Sequence, residues 1–239
     1  MKTIIIGDIH GRNIWKDIVS KESYDRVIFV GDYFDSFDIP GIDQIYNFNE
    51  ICNFAKSSAK EVVLLVGNHD LHYMQIGQSY SGFQSALQFD ISRILSDNRD
   101  LLSMIYRFDN VVVSHAGVSP IWMNENFDRN WSYDNMTDKI NDLFKFRPRS
   151  FRFSGWDPYG DDPSQSPVWI RPSSLLKSNT RNSNLIKDHL IQIFGHTQMS
   201  QEQIQNRDKW LGPRFFAVDT LEIGYYLVYQ DQNFTYNTI

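Results

Sequence analysis

Five short stretches of the chain place metal-binding side chains directly after runs of aliphatic residues. They are GDIHG (7–11), GDYFDS (31–36), GNHD (67–70), SHAG (114–117) and FGHT (194–197). Between them they carry Asp8, His10, Asp32, Asp35, Asn68, His69, Asp70, His115 and His196, and so four of the six histidines. Taken singly each means little, because a Gly-Asp after a strand is usually a turn and a buried histidine is usually a hydrogen-bonded core residue. The set of five is not explained that way. Each supplies a hard or borderline metal ligand beside a glycine that permits tight backbone. Mixed carboxylate, imidazole and amide oxygen suits Mn²⁺, Fe or Zn²⁺. It does not suit Ca²⁺, which prefers oxygen alone. The ligands outnumber what one ion needs, so two divalent ions are expected, with one carboxylate between them. Two ions about 3.5–4 Å apart clamp the attacking and leaving oxygens of a phosphoryl transfer.

The runs that must position these residues are Thr3–Ile6, Arg26–Val30, Glu61–Val66, Asn110–Ser114, Leu190–Phe194 and Arg214–Val218. Each is short, aliphatic or β-branched, and bounded by Gly, Asp or Ser, the pattern of a buried strand. Helical spacing lies between the first three, at Asn13–Ser20 and, more loosely, at Ile42–Ser58. This alternation reads as α/β. In open α/β sheets ligands gather outside the carboxyl ends of the strands, which is where the five stretches fall. The segment Arg214–Asn237 is strand-rich and reads as hairpins. From 119 to 189 the chain becomes rich in Pro, Ser and Asp, with Pro120, Pro148, Pro158, Pro163, Pro172 and the run SGWDPYGDDPSQSP. We read it as an irregular excursion over one face of a single domain spanning 1–239, helical around Tyr133–Phe146. Excursions of this kind often bear substrate contacts.

With 239 residues the chain can bury a substantial core. A net charge of −6 disfavours a broad grip on nucleic acid. The lone Cys52 excludes an internal disulfide and fits a reducing compartment. Asp8 follows too soon after MKTIII for a signal peptide, and no apolar run approaches membrane-spanning length. The expectation is a cytoplasmic protein without a membrane partner. Composition does not address its oligomeric state.

In this order, GDIHG, GDYFD, GNHD, HAGVSP and GHT resemble the calcineurin-like metallophosphoesterase superfamily. The finer match is to its phosphoprotein phosphatase branch, which includes eukaryotic Ser/Thr phosphatases, phage lambda-type phosphatase and bacterial diadenosine tetraphosphate hydrolase. GNHDLH and SHAGVSPIW lie close to the last of these, whereas PVWIRP and FGHT look more like the small bacterial and phage phosphatases. The resemblance implies an α/β fold, a four-layer α/β/β/α sandwich of two mixed sheets. It implies a dinuclear phosphoesterase, most simply with Mn²⁺. Asp8 and His10 would hold the first ion, Asp32 would bridge, and Asn68, His115 and His196 would complete the second. His69 would be the general acid for the leaving group, held by Asp35. A carboxylate raises an imidazole pKa and fixes its orientation, which suits proton donation near neutral pH. Asp70 would stabilise the turn. Arg171 in WIRP matches the family's phosphate-gripping arginine.

Two departures bear on substrate. The family's second motif ordinarily reads Gly-Asp-x-x-Asp-Arg-Gly, and here Ser36 stands where that arginine would contact phosphate. Arg12 is a candidate replacement, with Arg147, Arg149 and Arg152 as further cations. Many nucleases of the superfamily end in Gly-His-x-His, but here Gln198 holds the last place, which fits the phosphatase branch. The leading expectation is a phosphomonoesterase resembling Ser/Thr protein phosphatases, acting on a phosphorylated protein or small phosphorylated substrate. The alternative is hydrolysis of diadenosine tetraphosphate or a related nucleotide, with Trp122 or Trp156 stacking on a base. A non-catalytic binding protein is a third reading, supported only by Ser36.

Overall fold

The computed structural model describes residues 1–74, 78–157, 159–181 and 190–239. Pro158 and His189 lie outside the described residues, as does part of the proline-rich excursion.

The first half of the chain builds a parallel sheet from strands that are apolar on both faces. In β1 (Lys2–Ile6), Ile4 and Ile6 point to one side and Ile5 to the other. In β2 (Arg26–Phe29), Val27 and Phe29 alternate with Ile28 in the same sense. β3 (Glu61–Leu65) continues the pattern with Leu64 and Leu65. Strands covered on both sides read as unbroken aliphatic runs, which is why they are conspicuous in the sequence. On the outer face lie α1 (Trp15–Lys21), α2 (Gly41–Ser57), the short α3 (Asn68–Leu71) and α4 (Gln88–Asp97). Trp15, Ile18, Phe48, Ile51, Ile91 and Leu95 seal that side.

The sheet is completed by β4 (Leu102–Ser103) on one edge. A second sheet begins with β5 (Ile105–Phe108) and β6 (Val111–Ser114), antiparallel to each other. β7 (Ile191–Phe194) and β8 (Phe215–Ala217) then join β6 in parallel. The expected hairpins after Arg214 are divided between the sheets. β8 belongs to the second, while β9 (Tyr225–Gln230) and β10 (Asn233–Thr238) form a hairpin that extends the first beyond β1. The orders are β10-β9-β1-β2-β3-β4 and β5-β6-β7-β8, both mixed. Ile5, Ile28, Val30 and Leu65 face Val111, Val113, Ile193 and Phe216 across the space between them. Helices on the outer faces make this the four-layer sandwich that was expected.

The excursion is more helical than its proline content suggests. It contains α5 (Pro120–Phe127), α6 (Met136–Phe146) and α7 (Pro172–Arg181). Ser119 caps α5 by accepting from the Ile121 and Trp122 N–H groups, and Pro120 takes the first position, where a missing N–H costs nothing. Trp122 is 2% exposed and packs on Phe151 at 5.2 Å. It is a core residue, so the expectation that it stacks on a substrate base is wrong for Trp122. Two further short helices, α8 (Gln201–Gln205) and α9 (Arg207–Trp210), precede β8. Among the described residues no helix is long and apolar enough to cross a membrane.

Candidate metal centre and active site

Six parallel strands, three from each sheet, end at one place. β1 delivers Asp8, β2 Asp32, β3 Asn68, β6 His115, β7 His196 and β8 Asp219. The turns beyond them are tied together through backbone. His10 N–H donates to Asp32 O at 2.7 Å, Gly195 N–H to His115 O at 2.7 Å, and Val218 N–H to Phe194 O at 2.7 Å. Asp70 accepts from the N–H groups of Gly67 (2.8 Å), Asp32 (2.8 Å) and Tyr33 (2.7 Å), so it stabilises two turns at once.

The backbone there is unusual. His10 (φ 41°), Asp32 (φ 50°), Asp35 (φ 66°) and His196 (φ 65°) all lie in the left-handed region. Such conformations persist only where surrounding contacts hold them, and they cluster at functional sites. Two glycines allow close approach: a Cβ on Gly195 would lie 2.0 Å from Asp8 Oδ1, and one on Gly67 would lie 2.0 Å from Asp32 Oδ1.

The side chains form two adjoining clusters that share Asp32. In one, Asp8, His10 and Asp32 offer ligand atoms within 4.8 Å of one another; in the other, Asp32, His115 and His196 do so. His10 Nδ1 donates to Phe34 O at 2.6 Å, which leaves Nε2 to face Asp32 Oδ2 at 3.8 Å. Burial lowers the His10 pKa against the pull of Asp32, so the ring is held in its metal-binding neutral form. In the second cluster Asn68 Oδ1 is approached by His115 Nε2 at 2.9 Å and by His196 Nδ1 at 2.8 Å. His115 Nδ1 faces Val30 O at 3.0 Å and must donate to it. In the neutral ring, Nε2 is then a bare lone pair aimed at an amide oxygen, with Asp32 Oδ2 only 3.3 Å away.

Acceptors turned on one point call for a cation. The charge balance calls for one as well. Burial and the charges of Asp219 and Asp32 push Asp8 well above the usual carboxylate range. Burial and Asp32 push Asp219 up to about 6. Divalent ions would relieve this crowding, so the residues present fit a dinuclear centre.

His69 stands beside the first cluster, its ring 5.3 Å from that of His10 and edge-on to it. Its N–H donates to Asp32 Oδ1 at 2.9 Å, and its Nδ1 lies 2.9 Å from Asp35 Oδ2. Burial alone would lower its pKa, but Asp32, Asp35 and Asp70 outweigh that and push it up to about 9. A cleft of about 280 Å³ opens above, bordered by His10, His69, Arg12, Phe37, Asp38 and Glu222 among others. Arg12 reaches this cleft but pairs with Glu222 at 3.4 Å. Arg171 lies behind His196, donating from Nη1 to His196 O at 3.0 Å and to Thr197 Oγ1 at 3.1 Å, with Asp219, Asp8 and Asp32 in its field. Ser36 also borders the cleft, and its Oγ accepts from the Asp38 and Ile39 N–H groups at 3.2 Å each, so it holds its loop there and brings no charge to the cleft. Arg147, Arg149, Arg152 and Trp156 are not among the residues bordering the cleft.

Asp219 was not anticipated from the sequence, although it follows a buried strand just as Asp8 and Asp32 do. Reading the sixth strand to its end by the same rule finds it.

The fold is a two-sheet α/β sandwich of the phosphoesterase kind, and its donor set fits a pair of divalent ions. The family model for calcineurin-like phosphoesterase matches residues 1–200, and the chain belongs to that family. Its members are hydrolases acting on phosphoester bonds with divalent metals. Proteins named symmetrical bis(5'-nucleosyl)-tetraphosphatase are similar in sequence. That of Vibrio campbellii is 26% identical over 133 residues, 51% of this chain and 47% of the relative. That of Marinomonas sp. is 25% identical over 135 residues, 51% and 46% of the two chains. The chain thus spans about half the length of the curated relatives it matches. Among solved structures, a cold-active protein tyrosine phosphatase aligns with 99% of this chain and 78% of its own, at TM-score 0.54 and 19% identity. A metallophosphoesterase from Sphaerobacter thermophilus aligns with 100% of this chain and 88% of its own, at TM-score 0.52 and 13% identity. These two likenesses concern the fold.

Proposed function

We propose that the chain is a dinuclear, Mn²⁺-dependent phosphomonoesterase. Asp8, His10 and Asp32 would hold one ion and Asp32, Asn68, His115 and His196 the other. The observation that carries the reading is the adjacency of these clusters to a protonatable imidazole, His69, oriented by a buried carboxylate, Asp35. When bound, the ions supply Lewis acidity toward the phosphoryl oxygens and activate water for attack. The chain's own residues do the rest. Asp35 holds His69 Nδ1, leaving Nε2 to give its proton to the departing oxygen. Arg171 is the phosphate-binding cation on the His196 side, and Arg12 is a second at the cleft mouth. Both halves of the chain contribute strand ends to one site, which supports reading 1–239 as a single domain.

The cleft favours a monoester. Asp38 and Glu222 border it, and Glu222 already engages Arg12, so a polyphosphate tail would meet negative charge. Exposed Phe37 offers an apolar surface to a leaving group. The names of the sequence relatives favour a second reading, hydrolysis of diadenosine tetraphosphate or a related nucleotide.

The test is turnover by the Mn²⁺-loaded protein of a phosphothreonine peptide, read as phosphate release, and of diadenosine tetraphosphate, read as formation of ADP, under one set of conditions. Faster turnover of the peptide supports the first reading, and faster cleavage of the nucleotide to two ADP supports the second. Unchanged turnover of the peptide in His69→Asn or Asp32→Asn would sink the first reading, and no cleavage of the nucleotide at all would remove the second.

A further inference from the structure

The contacts of Asp35 extend away from the cleft into the core. We infer that Tyr73, assisted by His72, is a positioning residue for proton donation by His69 and acts through Asp35. The inference rests on the reading of His69 as the donor.

Asp35 is 1% exposed, and its two oxygens are divided between partners. Oδ2 faces His69 Nδ1 at 2.9 Å. Oδ1 accepts from the Tyr73 hydroxyl at 2.5 Å. That hydroxyl itself accepts from Gln84 N–H at 2.7 Å, so its one proton is directed at Asp35. A carboxylate turns readily about its terminal torsion, and untied it could offer either oxygen, or neither, to the imidazole. The chain from Gln84 through Tyr73 to Oδ1 removes that freedom.

His72 closes the other side. Its Nδ1 accepts from Tyr80 N–H at 3.3 Å, which leaves the proton of the neutral ring on Nε2. Nε2 stands 2.7 Å from Asp35 Oδ2, at too bent an angle for a full hydrogen bond. His72 therefore acts as a wall and a nearby dipole more than as a tether. Its ring meets Tyr73 edge-on at 4.4 Å, and Tyr73 stacks on Phe83 at 4.8 Å. Neither His72 nor Tyr73 borders the cleft. Both lie about one helical turn beyond His69, in the 3₁₀ turn His72–Met74 that continues α3. One local element thus carries the donor and the support of its partner.

The experiment is leaving-group dependence in the Mn²⁺-loaded protein. A nitrophenolate leaves without a proton, whereas an alkoxide needs one, so a disturbed donor is felt on alkyl esters. Tyr73→Phe keeps the ring and removes the tether. It should lose about tenfold in kcat on an alkyl phosphate, a typical cost for losing an outer partner of a functional group, with a much smaller loss on nitrophenyl phosphate and KM unchanged. His69→Asn should show the same selectivity with a larger loss, about 10²–10⁴-fold. Equal losses on both esters in Tyr73→Phe, with His69→Asn still selective, would overturn the inference alone. Equal losses in His69→Asn would overturn the donor reading and the inference with it. A second readout is independent of turnover. Proton NMR of the metal-free protein should show a slowly exchanging, downfield His69 Nδ1–H in the wild type that exchanges rapidly in Tyr73→Phe. An unaltered signal in the variant, or no such protected proton in the wild type, overturns the inference.

Discussion

Replacing Gly195 by alanine should remove one ion from the centre and leave the other. The ideal Cβ falls 2.0 Å from Asp8 Oδ1, and real Cβ atoms come no closer than about 3.0 Å to another heavy atom. Either the carboxylate or the backbone must give way by about 1 Å. The backbone is pinned, because Gly195 N–H donates to His115 O at 2.7 Å. The carboxylate has few places to go. Leaving its position weakens its contacts with His196 N–H at 3.1 and 3.0 Å, and its neighbours Asp219 and Asp32 repel it. Overpacking a filled site costs roughly 1–3 kcal/mol of stability, so the variant should still fold. A misplacement of about 1 Å at a reacting centre costs on the order of 10²-fold in rate.

We therefore expect the Gly195→Ala protein, loaded with Mn²⁺ and dialysed, to retain about one ion per chain by elemental analysis, against two for the wild type. Its kcat on an aryl phosphate should fall about 10²-fold. Gly67→Ala should be worse, since its Cβ meets the shared Asp32 at Oδ1 (2.0 Å) and at the backbone nitrogen (2.6 Å), and both ions should be lost. Gly212→Ala is the control. Its backbone is left-handed (φ 76°), unlike that of Gly195 and Gly67, and nothing lies within 4 Å of the added Cβ. It should cost only about 1–2 kcal/mol of stability and keep both ions. Two tightly held ions and wild-type kcat in Gly195→Ala would refute the assignment of Asp8 to the centre.

Asp70→Asn should destabilise the fold by about 1–3 kcal/mol, because an amide nitrogen must then face at least one of three backbone donors that the carboxylate satisfies; a urea midpoint unchanged from wild type would contradict this. In the metal-free protein His69 should titrate near 9, up from an ordinary 6.5, and Asp35→Asn should bring it down, as read by NMR of its ring protons. Because this pKa is raised in the folded state, its contribution to stability is full below about 6.5 and disappears as pH rises through about 9. Flat metal-free stability across that window, or no difference between wild type and Asp35→Asn, would count against the pair. Cys52 is buried, and burial pushes its thiol up to about 12, so iodoacetamide at mild alkaline pH should label it only after urea unfolding; rapid labelling of the native protein would place it at an accessible surface.

What the sequence revealed, and what it hid, follows from the distance over which each feature is encoded. The gathering of Asp8, Asp32, Asn68, His115 and His196 at one place is legible because each follows directly on the strand that carries it. The sheet core repeats every second residue, as in Ile4, Ile5 and Ile6, so those strands announce themselves. By contrast β5, with only Ile105 and Phe108 buried among Tyr106 and Arg107, has too little apolar pattern to be read before its partner β6 is in place. The helix α4 shows just Ile91, Ile94 and Leu95 on its inner face, a stripe too short to separate from loop. Trp122 illustrates a different limit: local pattern marks an aromatic residue but not which side of the excursion is covered. The support of Asp35 is the furthest from the sequence. The pairing with His69 is read through the family resemblance, but the further partners His72, Tyr73 and, through Tyr73, Gln84 lie on a later turn and loop, and only the closing of α3 against the β2 turn brings them to one carboxylate. Chemistry written as a motif concerns atoms that must touch an ion or a substrate; the residues that hold those atoms still are chosen by packing, and packing becomes readable only in three dimensions.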